Sequence, residues 1–136
     1  MMPITDFDSL LTAARQQAQP QRLLFVFTKA VLPDDHTPAE AERFAAGHGG
    51  ILLPVMCVDK APDEVPNFAA LAAEAGYMGE AWTVLFVAAL DGRHGQPPGP
   101  ADAELPLTRM VQTIRSGGDV SRYLAFDGQG EPVRFV

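Results

Sequence analysis

The chain has 136 residues, 47% of them hydrophobic and 20% charged, a length and balance that suit one globular α/β domain burying roughly 68% of its unfolded surface. Seventeen acidic against ten basic residues give a net charge of −7, which works against binding nucleic acid or an anionic membrane surface. A single cysteine excludes an internal disulfide and fits a reducing, cytoplasmic compartment.

The opening, MMPITDFD, has no basic stretch and soon turns acidic, so no signal peptide is expected. Thr5 and Asp8 have the spacing of a capping pair, and Phe7, Leu10, Leu11 and Ala14 then follow helical periodicity. Pro20 ends that helix. RLLFVF at 22–27 reads as a strand buried on both faces. TPAE at 37–40 is the clearest local signal. Thr37 caps, Pro38 takes the first helical position, and Glu40 reaches back to the cap. Gly47 is the expected stop, and LLPVMCV follows as a strand with Pro54 near its start or on an edge.

Phe68, Leu71, Ala72 and Ala75 mark a third helix closed by Gly76, and WTVLFVAAL is a third strand, apolar on both faces. It is the core of the longest apolar run, 81–90, which is too short to cross a bilayer as a helix. Residues 91–100, DGRHGQPPGP, read as a loop with the composition of a mobile connector or lid. Leu107, Met110, Val111 and Ile114 form the stripe of a fourth helix, and RYLAF, DGQG and PVRFV read as a terminal hairpin. The order αβαβαβαββ predicts right-handed crossovers and a mixed, mostly parallel sheet of about five strands with flanking helices and an antiparallel C-terminal hairpin.

Cys57 lies in the second strand, which is apolar on both faces. In a central strand it packs as a small hydrophobe. The competing reading, a redox-sensing thiol, needs an exposed and acidified sulfur. His36, His48 and His94 all fall in loops without metal-ligand spacing, so no metal site and no cofactor are expected. GHGG at 47–50 has the glycines of a phosphate loop in the wrong order, leaving a helix and entering a strand. One constellation remains. Ligands of parallel sheets bind beyond the carboxyl ends of strands. Lys29 follows the first strand, Asp59 and Lys60 the second, and Asp91, Arg93 and His94 the third. Lys29, Asp59, Lys60 and Arg93 would bind a small anionic ligand there, with Asp91 and His94 as acid or base.

QRLLFVF, MCVDKAPDE, WTVLFVAAL and RMVQTI together resemble a family of small proteobacterial proteins often labelled "ribonucleotide reductase subunit alpha". The resemblance covers nearly the whole chain and implies a bacterial, cytoplasmic setting. Catalysis by such a reductase subunit uses a radical cysteine and a redox-active cysteine pair. With one cysteine, deoxyribonucleotide synthesis by this chain alone is not expected. The function expected from the residues is that of a non-catalytic accessory or interaction protein forming a homo-oligomer, a homodimer first of all. The alternative is a binding protein or enzyme for an anionic small molecule, using the strand-end residues.

Overall fold

The computed structural model of the chain describes residues 4–46 and 50–134. Its strands are β1 (Gln21–Val31), β2 (Ile51–Lys60), β3 (Val84–Asp91) and β4 (Leu124–Phe126); its helices are α1 (Phe7–Arg15), α2 (Pro38–Ala45), α3 (Phe68–Tyr77) and α4 (Pro100–Arg115). The strands form one sheet in the order β2-β1-β3-β4, and every neighbouring pair is antiparallel.

β1 is central. Leu23 through Thr28 are buried in an unbroken run because helices cover both of its faces. Phe7 and Leu11 of α1 and Leu71 and Ala75 of α3 pack on the face bearing Leu23, Phe25 and Phe27. Ala103, Met110 and Ile114 of α4 pack on the other face, against Leu24, Val26 and Phe86. The one buried polar residue among those described, Thr28, donates its hydroxyl to the Val84 carbonyl at 2.8 Å, which satisfies it inside the core.

The mostly parallel five-strand sheet expected from the sequence is corrected on two counts. The first is direction. A βαβ crossover must return the chain along the full length of the strand just completed. Eleven-residue β1 is about 36 Å long, and eight-residue α2 spans only about 12 Å. Moreover, α2 buries no residue. The chain from β1 therefore turns back, and β2 lies antiparallel beside it. Only the β2-to-β3 connection, carrying α3, crosses the sheet, because it passes over β1 to reach that strand's other side. The second count is strand number. After β4 the turn 127–130 brings the chain back, but among the described residues only an isolated bridge, Phe126 to Pro132, forms and no fifth strand is present.

Local signals shift by a residue or two. The α1 cap is Asp6 with Ser9, not Thr5 with Asp8. Asp8 instead accepts from Phe68 N at 2.8 Å, joining α1 to the start of α3. Gly76 lies inside α3, whose cap is Met78. The expected stop at Gly47 and the loop histidine His48 lie outside the described residues.

Candidate functional site

Antiparallel pairing breaks up the expected strand-end constellation. The carboxyl ends of β2 and β3 meet the amino end of β1, whereas Lys29 is at the opposite end, facing Leu53. Asp59 is six residues further along β2, about 20 Å away. Lys29 therefore shares no site with Asp59, Lys60, Asp91 or Arg93.

The residues that do converge are engaged with one another. Arg22 Nε donates to Asp59 Oδ2 at 2.5 Å, and both side chains are largely buried. Lys60 pairs with Glu74 of α3 at 2.9 Å. Gln21 Nε2 donates to Asp91 Oδ1 at 2.7 Å. These contacts tie β1 to β2 and β3, and β2 to α3, so the polar residues that follow the strands are cross-links of the sheet end.

Within 91–100, residues 92–96 form a hydrogen-bonded turn. Arg93 and Gln96 exchange both backbone hydrogen bonds, at 3.0 and 2.9 Å. The two residues between them, His94 and Gly95, have φ of 53° and 76°, the signature of a two-residue hairpin turn of type I′. Gln19 Oε1 accepts from Gly95 N at 2.9 Å and Pro20 O from Gly92 N at 2.8 Å, so the turn is held to the start of β1. Gly92 is required by close approach, because a Cβ there would lie 2.1 Å from Gln96 O. Behind the turn is an open cavity of about 490 Å³ lined by Asp91, Arg93, Gln96 and Asp102 among others. An anion entering it would meet two carboxylates for one guanidinium, so its electrostatics disfavour the anionic ligand expected from the sequence. His94 sits exposed at the tip of the turn, outside that lining.

Cys57 is corrected in position: its side chain is exposed rather than buried. The reason is topological. An apolar strand suggests a central place, but β2 is at the sheet's edge, and its burial is intermediate to exposed throughout. Among the described residues, no group of three or more His, Cys, Asp or Glu is placed to hold a metal ion.

The feature that sequence reading missed lies along this edge. Ile51 and Leu53 of β2 are 45% and 39% exposed, and Tyr77 and Met78 at the end of α3 are 92% and 69% exposed. Phe27, Met56, Val58, Leu71, Ala75 and Met78, with Cys57 and the carboxylate of Glu74, line a groove of about 170 Å³ between β2 and α3. Leu53 and Ile51 continue the same sheet face beyond β3, which begins only opposite Thr28. Among the described residues the outer edge of β2 is unpaired and runs beside exposed apolar side chains, the combination that marks association surfaces. Pro54, which suits a strand start or an edge, was the one signal for this position; the pairing order itself is not legible in the composition of LPVMCV.

No family model, curated protein or solved structure matches the chain. Among the described residues, no helix is long and apolar enough to cross a membrane.

Proposed function

We propose that the chain is a non-catalytic accessory protein of the bacterial cytoplasm that acts through association, and that it forms a homodimer through the β2 side of its sheet. The observation that carries this reading is the set of exposed apolar residues Ile51 and Leu53 on the β2 edge strand and Met78 at the groove between β2 and α3. Such a surface is costly to leave in water and gains from being covered. The engagement of Arg22, Asp59, Lys60 and Asp91 in contacts within the sheet end supports a structural rather than a chemical role for those groups. The exposed lone thiol suits a reducing compartment, where it stays unpaired.

Leu53→Asp tests the reading. The substitution adds a charge to the exposed face without touching the buried core. The expected result is a dimer for the wild-type chain and a monomer of unchanged circular dichroism for the variant. A wild-type chain that stays monomeric at the highest soluble concentration contradicts the reading.

A further inference from the structure

We propose that two copies of the chain join by antiparallel pairing of their β2 strands about a two-fold axis between Val55 and Met56, merging two four-stranded sheets into one. This rests on the self-association read above and adds which backbone groups make the contact.

The direction of those groups follows from the observed hydrogen bonds. Gly92 N donates to Pro20 O and Ala30 N to Thr83 Oγ1, so even-numbered residues of β1 turn their amides toward β3 and odd-numbered ones toward β2. Phe27, Phe25 and Leu23 face Met56, Val58 and Lys60, which are therefore bonded inward. Cys57 and Asp59 are left with N–H and C=O turned outward. The register slips by one residue between Phe27 and Thr28, with Val55 as the extra residue. Beyond the slip the outward residues are Leu52 and Pro54, opposite Ala30 and Thr28. Pro54 fits this phase, since it has no N–H to give β1.

A regular strand laid along this edge matches the outward groups on one side of the bulge only. A strand carrying the same slip matches both sides, and β2 of a second copy is such a strand. A two-fold axis between Val55 and Met56 sets Leu52 opposite the partner's Asp59 and Pro54 opposite the partner's Cys57. The outward amides of Leu52, Cys57 and Asp59 then all find carbonyls. On the α3 face the same register opposes Leu53 to the partner's Val58 and Met56 to the partner's Val55, apolar pairs of the kind that stabilise sheets. Asp59 meets no opposed carboxylate, and Arg22 already neutralises it.

Disulfide trapping tests the register. In a Cys57→Ser background, Leu53→Cys combined with Val58→Cys places directly opposed thiols across the axis, while the two positions within one chain are about 16 Å apart along the strand. Mild oxidation is expected to convert the double variant to covalent dimer and to leave each single variant monomeric on a denaturing gel. Covalent dimer from Val58→Cys alone puts the axis at Val58 and overturns the proposed register. A wild-type dimer whose double variant, folded when reduced, gives no covalent product overturns strand pairing while leaving self-association standing. A monomeric wild type overturns both. Should the double variant fail to fold, Val55→Cys with Met56→Cys probes the next opposed pair with the same readout.

Discussion

Thr28 shows how a single residue ties β1 to the start of β3. Its hydroxyl donates to the Val84 carbonyl inside the core, its own carbonyl accepts from Thr83 N at 2.7 Å, and it stands beside the register slip that bends β2. Thr28→Val keeps the shape and removes the donor, so it should lower unfolding stability by about 1–2 kcal/mol, read as a lower denaturant midpoint at unchanged slope. Cys57 makes the opposite case. Its sulfur is exposed on a sheet face, so iodoacetamide should label the folded chain as completely as the denatured one under dilute, monomeric conditions. A thiol that reacts only after denaturation would place Cys57 in the core and contradict the edge position of β2.

The elements differ in what holds them. α2 buries nothing and depends on its cap, where Thr37 Oγ1 accepts from Glu40 N at 3.2 Å and Glu40 accepts from Thr37 N at 3.0 Å. These bonds to the Thr37 backbone and hydroxyl hold the Glu40 carboxyl below its usual range. A depressed folded pKa contributes stability that is present above the unfolded value of 4.5 and is lost as pH falls through the folded one. Hydrogen exchange of the α2 amides should therefore speed up as pH is lowered below that value, beyond the intrinsic trend. Thr37→Ala should bring the same local loss at neutral pH while the global melting temperature barely moves. The turn after β3 responds differently. Gly92→Ala drives a Cβ into the Gln96 and Pro20 carbonyls and should destabilise the whole fold by more than about 2 kcal/mol; a neutral variant would mean that the turn is not packed on β1.

These same elements show what the sequence could and could not convey. The α2 capping box was legible because its partners lie within four residues. The buried face of α1 was legible because Phe7, Leu10, Leu11 and Ala14 repeat with the helix. The double burial of β1 was legible in its unbroken apolar run. Strand direction was not, since it depends on whether α2 can bridge the sheet, a matter of length against length across separate elements. Misreading it placed Lys29 with Asp59 and left the exposed apolar residues beside β2 unread. The ordered turn at His94 and Gly95 was hidden for a related reason: glycine and proline content signals a break in regular structure but not the Gln19 and Pro20 contacts that fix it.

For the whole molecule, one long open edge and an adjoining apolar surface set against a net charge of −7 define its behaviour. In the proposed dimer two copies of like charge would repel at long range and gain by burial at contact, so added salt, which screens the repulsion, should strengthen that association. Sedimentation equilibrium of the wild-type chain measures this directly. The proposed dimer should give a concentration-dependent mass rising from the monomer's 14.6 kDa to twice that value, with the midpoint moving to lower protein concentration as salt is added. A mass that stays at the monomer value across the soluble range, at low and high salt alike, would contradict it.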